Sequence, residues 1–231
     1  MKELAYREIK VLFLGFLAGM AIGFGGYAYL SIAALGQTDV SAMVAKFLGG
    51  IVFSFALFLI CIFSFKLYTG KIGYIIDKQE HKYWDLLFVF LGNVLGAVLF
   101  GFGFRLIANS NTNLIEYASN FVLNKMVDMT FASFIKIFLS AIFCGIIVFL
   151  AVFSYTNAKN VGVKILGALF PIVIFVVAGF EHIIANFFYF SFTLSFSPGA
   201  LLNLLYVFFG NSLGAIGTYF LFKKLGITSN V

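Results

Sequence analysis

Charge is what this chain has least of. Asp, Glu, Lys and Arg make up 10% of its 231 residues, against about 25% in an ordinary soluble domain. With 62% hydrophobic residues and a mean hydropathy of +1.07, too little polar surface is left to face water, so the expected solvent is a lipid bilayer. Prolines number two, and no Pro- or Ser-rich linker divides the chain; this predicts one integral domain over residues 1–231. Cys61 and Cys144 both lie in apolar stretches, which argues against a disulfide scaffold. Met1-Lys2-Glu3 leads into a long apolar run without the short hydrophobic segment and cleavage site of a signal peptide. The formal charge of +6 sits beside apolar runs, a pattern of membrane topology. No basic cluster interleaved with stacking aromatics points to nucleic acid. Paired catalytic aspartates, a His-x-x-Glu-His pattern and a Gly-x-Ser-x-Gly elbow are all missing, so neither an intramembrane enzyme nor a metal or cofactor site is expected.

What is present is apolar length. A membrane-spanning helix needs roughly 20 apolar residues, and six stretches qualify: about 11–35, 47–65 with a broken continuation to 76, 86–107, 134–153, 165–180 resuming at 183–192, and 201–222. Ten basic residues flank one side of these spans (Lys2, Arg7, Lys10, Lys71, Lys78, Lys82, Lys159, Lys164, Lys223, Lys224) and three the other (Lys46, Arg105, Lys125). The positive-inside bias therefore places both termini in the cytoplasm of a multi-pass protein of the cell (inner) membrane. Lys66 and Lys136 fall inside apolar segments.

The chain also repeats itself. Gly92-Asn93-Val94-Leu95-Gly96-Ala97 returns as Gly210-Asn211-Ser212-Leu213-Gly214-Ala215, 118 residues later and again in the third span of its half. Three spans per half predict an all-α fold of two inverted repeats, about 10–110 and 129–225, with a permeation site on their shared axis. Glycines line the first, third and sixth spans, among them Gly15, Gly19, Gly101, Gly103, Gly214 and Gly217. Many recur at a spacing of four, which lets helices approach closely. Asn93 and Asn211 need another reason, because an amide in lipid lacks partners. Each is expected to face inward and bond backbone freed by a broken helix.

The second and fifth spans hold matching polar interruptions: Phe65-Lys66-Leu67-Tyr68-Thr69-Gly70-Lys71 and Gly179-Phe180-Glu181-His182-Ile183-Ile184-Ala185-Asn186. Interrupted helices at equivalent positions are the best sequence pointer to a transport site, and irregular backbone at membrane depth must line a cavity or be buried in protein. An ionisable residue there marks function by default. His182 is therefore singled out over His81, which sits in the charged run Asp77-Lys78-Gln79-Glu80-His81-Lys82. Imidazole is also the side chain that titrates near neutral pH. Glu181 is expected to pair with backbone or a neighbouring amide. Lys66 reads equally well as a snorkelling lysine and as a charge that draws anions.

These residues resemble the formate/nitrite transporters, pentameric channels for small monovalent anions with formate, nitrite and hydrosulfide members. The Gly179–Asn186 run resembles the family's fifth-helix signature, and Leu67-Tyr68-Thr69-Gly70 resembles the threonine loop of its second helix. Both Gly-Asn motifs and the glycine-rich first span fit as well, so the likeness extends from about residue 10 to 224. It implies an aquaporin-like fold and a homopentamer in the bilayer. Each protomer would pass a monovalent anion or its conjugate weak acid, with passive and proton-coupled flux both left open. His182 would be the central pore histidine and Thr69 its hydrogen-bonding neighbour. Asn186 and Asn211 would be polar positions nearby. Leu57 and Phe175 would pinch the pore, with Leu67 and Tyr68 of the threonine loop. Lys66 stands where the family carries an acid. Its fourth-helix asparagine falls at Gly145. Its lysine before that helix falls at Met129, or at Lys125 if a short insertion is allowed. The rival reading, a water- or polyol-like channel, lacks paired Asn-Pro-Ala motifs, since the only prolines are Pro171 and Pro198.

Overall fold

The computed structural model describes residues 2–37, 41–77, 82–128 and 130–227, and these form helices with no strand among them. In chain order they are α1 (Lys2–Leu35), α2 (Ala42–Ile62), α3 (Tyr68–Lys71), α4 (Lys82–Ile107), α5 (Thr112–Leu123), α6 (Phe131–Asn157), α7 (Val161–Ala178), α8 (Ile183–Thr193) and α9 (Pro198–Lys224). Short 3-10 turns follow α3 (Ile72–Ile76) and α4 (Ala108–Ser110). Six of the helices are long and apolar enough to cross a bilayer, as the hydropathy runs predict. The second and fifth spans are indeed interrupted, between α2 and α3 and between α7 and α8.

Side-chain caps set many helix starts. Asn111, Thr130, Asn160 and Ser197 accept hydrogen bonds from the first-turn N–H groups of α5, α6, α7 and α9, and Pro198 occupies the first position of α9. At the far end of α7 the chain turns at Gly179, whose φ of 73° lies in the left-handed region that a side chain disfavours.

The glycine pattern becomes two close helix pairs, α1 against α4 and α6 against α9. A Cβ at Gly19 would strike the carbonyl of Asn93, and one at Gly96 the carbonyl of Phe16. In the other half, Gly145 and Gly214 stand in the same relation to the carbonyls of Asn211 and Ile142. Gly103 and Gly217 depart from the expectation that these glycines mark helix contacts: neither has an atom within 4 Å of where its Cβ would be.

The two asparagines do matched work. Asn93 Oδ1 accepts the N–H of Tyr68 at 2.8 Å, while its Nδ2 donates to the carbonyls of Lys66 and Gly15, each at 2.8 Å. Asn211 Oδ1 accepts the N–H of Ile183 at 2.9 Å, and its Nδ2 donates to the carbonyls of Glu181 and Ala141, each at 2.8 Å. In both halves the amide grips the broken helix at two residues spaced by two and a neighbouring helix once. Both asparagines are fully buried. Unmade backbone hydrogen bonds are expensive at this depth, and the third helix of each half supplies them. Lys66 N–H closes the account on the other side of the first break by donating to the Leu14 carbonyl at 3.1 Å.

Candidate functional site

The breaks carry Thr69 and His182 into contact. Thr69 Oγ1 lies 3.0 Å from His182 Nε2, with both residues buried. His182 is also the N-cap of α8: its Nδ1 accepts the Ala185 N–H at 3.3 Å. An acceptor nitrogen carries no proton, so the neutral ring holds its hydrogen on Nε2 and donates to Thr69. The Thr69 hydroxyl hydrogen is then free to point elsewhere. Protonating Nδ1 would set two N–H donors against each other.

Glu181, next in the chain, turns the other way into a buried ring of polar groups. Its Oε1 lies 2.8 Å from Lys125 Nζ, and its Oε2 accepts from Asn186 Nδ2 at 2.6 Å. Asn186 Nδ2 also donates to Asn203 Oδ1 at 2.8 Å, and Asn203 Nδ2 returns to the carbonyl of Lys125 at 2.9 Å. Asn186 Oδ1 is buried and has no partner among the described residues. The Lys125 ammonium further lies over the rings of Phe121 and Tyr189, at 4.8 and 5.7 Å from their centroids. The neighbouring-amide partner expected for Glu181 is present as Asn186, but the ion pair with Lys125 and the role of Asn203 were not foreseen.

Two cavities approach the Thr69–His182 contact from opposite ends. One, of about 200 Å³, is lined by His182, Phe175, Asn186 and the Lys125–Glu181 pair, and by Lys46, Lys136 and Ser140. The other, of about 440 Å³, is lined by Leu67 and Gly70 on either side of Thr69, and by Lys66, Lys71 and Lys164. It opens on the face where α1 begins and α9 ends, as the Arg7–Asp85 pair at 2.6 Å and the Lys223–Asp77 pair at 2.7 Å mark that face. Phe175 meets the His182 ring edge-on, with centroids 6.0 Å apart. Leu57 and Leu67 are buried nearly completely.

The remaining expected residues land as follows. Lys66 and Lys125 border different cavities, and Lys125 is half of an ion pair. Leu57 lines neither cavity. Tyr68 also lines neither: its ring packs on Phe208 and Phe90, and its hydroxyl lies 2.9 Å from Ser212 Oγ. Aromatic neighbours and the Ser212 hydroxyl thus account for the Tyr68 side chain in this structure. Asn211 is committed to backbone rather than to a cavity. Gly145 is where α6 meets α9, so the position matched to a family asparagine has no room for one. Met129 lies outside the described residues.

Helices of bilayer length holding two cation-lined cavities, with a buried Thr–His contact at their broken spans, are those of a polytopic membrane transport protein. The sequence pattern of the formate/nitrite transporter family matches residues 1–225, and the chain belongs to that family, one of transporters and not of enzymes. It is similar to the uncharacterized transporter YrhG of Bacillus subtilis (strain 168), 30% identical over 229 residues that cover 93% of this chain and 84% of the relative. It is also similar to a probable formate transporter of Methanothermobacter thermautotrophicus, 31% identical over 232 residues, covering 89% of this chain and 84% of that one. Among solved structures, a pentameric formate channel with formate bound superposes with a TM-score of 0.77 at 24% identity, over 95% of this chain and 98% of the other. The fold is therefore that of the family.

Proposed function

We propose that this protein is a channel for small monovalent anions or their conjugate weak acids, of the formate, nitrite and hydrosulfide class. Each protomer of a homopentamer would hold its own path, in two inverted halves, with both termini in the cytoplasm. The observation that carries this reading is the buried Thr69–His182 contact between two lysine-lined cavities. An anion loses hydration at an apolar constriction such as that of Phe175 and Leu67, and the loss is large for a full charge. Lysines at both mouths raise the local anion concentration. At the centre, Thr69 O–H, held by His182 Nε2–H, offers the anion a hydrogen bond. In this reading the anion takes its proton from hydronium in the vestibule, leaving water, since His182 donates its only proton to Thr69. A weak acid can then cross the dry zone neutral, which chloride cannot do. Asn186 Oδ1 supplies an acceptor for water or for the acid's O–H in the smaller cavity.

Proteoliposome uptake of formate, nitrite, hydrosulfide, acetate and lactate, with glycerol as the neutral control, tests the proposal. Saturable flux of the small monovalent species that rises as the external pH falls is the expected result. Glycerol flux without anion flux would overturn it.

A further inference from the structure

The larger cavity holds an imbalance that monovalent transport does not require. Lys66, Lys71 and Lys164 all line it, and no carboxylate of the described residues does. None of the three forms an ion pair among the described residues, in contrast to Lys125 in the smaller cavity. Three ammonium groups around one cavity repel one another, and low-dielectric walls focus their field. The volume of about 440 Å³ equals roughly 15 water molecules at about 30 Å³ each, far more than a small monovalent anion fills. Ser64 and Tyr155 add hydroxyl groups to the same lining. Leu67 lines its floor, and the buried Thr69–His182 contact begins two residues further along the chain. An ion bearing two or more charges gains from all three lysines at once. Its desolvation cost grows steeply with charge, so it does not cross the floor.

We infer that this vestibule is a binding site for a polyvalent oxyanion of the phosphate or diphosphate type, which plugs the path from the face where α1 begins. The plugging half rests on the channel reading above; the binding half does not.

A native probe reports on the site. Cys61 lines this cavity and is partly exposed, while Cys144 is fully buried. In detergent solution free of lipid, so that no headgroup competes, Cys61 should react about tenfold faster with an anionic methanethiosulfonate than with a cationic one of similar size. Millimolar pyrophosphate should slow the anionic reaction severalfold, and chloride at the same ionic strength should not. Lys66→Gln/Lys164→Gln should abolish that protection, and Lys66→Arg should keep it, which separates lost charge from lost folding. Equal protection by chloride, or protection that survives in the double variant, overturns the site. In proteoliposomes, pyrophosphate on the α1 face should reduce formate flux severalfold and on the opposite face should not. Protection of Cys61 with undiminished flux, or block from both faces alike, overturns the plug. If none of the monovalent anions of the panel moves, the channel reading fails while the Cys61 rates still decide the site.

Discussion

Removing the Lys125 ammonium while leaving Glu181 in place should be among the most damaging single changes in the protein. The Glu181 side chain is 8% exposed, and its two carboxylate oxygens are held by Lys125 at 2.8 Å and Asn186 at 2.6 Å. Breaking a buried pair from one side costs about 3–5 kcal/mol, because the remaining charge keeps its desolvation penalty without its partner. For a chain of this size each kcal/mol moves the melting temperature by roughly 2–4 °C, so Lys125→Met should lower it by about 6–20 °C. Glu181→Gln should cost less. Its amide still offers an oxygen to Lys125, and the rings of Phe121 and Tyr189 add a cation–π attraction of about 0.5–2 kcal/mol. The double variant Lys125→Met/Glu181→Gln removes both charges and should recover most of the loss, giving a coupling of about 2–3 kcal/mol in the thermal double-mutant cycle. Additive single effects, or a Lys125→Met variant within about 1 kcal/mol of the native protein, would refute the paired-charge account. The same pairing bears on recruitment of anions. Glu181 cancels Lys125, so low-salt anion flux should fall more for Lys136→Gln than for the double variant.

Three further outcomes follow from particular contacts. Gly19→Ala and Gly145→Ala should each cost about 1–3 kcal/mol or more through collision with a facing carbonyl. Gly103→Ala and Gly217→Ala, facing open space, should be neutral or stabilising by up to about 1 kcal/mol; thermal melts in detergent distinguish the pairs. His182→Asn should keep the α8 cap and the fold but lose the Thr69 contact, changing anion selectivity with little change in melting temperature. His182→Ala should also lose the cap, a further loss of about 1 kcal/mol; equal anion selectivity in His182→Asn and native protein would make His182 purely structural. Asp128, exposed in the loop before α6, is held down to about 2 by hydrogen bonds from Ser133 and Thr130. A depressed carboxyl contributes fully above its unfolded value near 4 and loses its effect only as pH falls through about 2. The loop should therefore be indifferent to acidification to pH 5, and a carboxyl NMR titration with its midpoint near 4 would contradict this.

Hydropathy alone located the six spans, because bilayer length and apolar content leave few alternatives. The two breaks were legible because Lys66 and Glu181-His182 interrupt otherwise apolar runs at matching positions. Helix α5 was not, since twelve residues are too short to register as a span. Its apolar residues Leu114, Tyr117, Ala118, Phe121 and Val122 nevertheless follow a helical stripe behind the Asn111 cap. That stripe carries Phe121 to Lys125. Asn203 was visible as a second buried amide in the last span, eight residues before Asn211 and so near the same face. What hid its role was that its partners, Lys125 and Asn186, come from distant segments. Charge neutralisation of Lys125 was equally invisible, because it depends on how closely a loop packs against the second break.

The Asn93 and Asn211 clamps also bear on the order in which the chain is assembled. Tyr68 N–H finds its partner on a residue 25 positions later, and Ile183 N–H on one 28 positions later. Until the third span of a half is threaded into the membrane, the broken ends of the second lack those partners. At about 5–20 residues per second of synthesis, that delay is roughly 1–6 s for each half. During that interval the nascent break must stay hydrated, near the membrane interface or inside the insertion machinery. Each clamp thus depends on an asparagine made after the break it holds, whereas the Thr69–His182 contact joins residues 113 positions apart and waits on the synthesis of the second break.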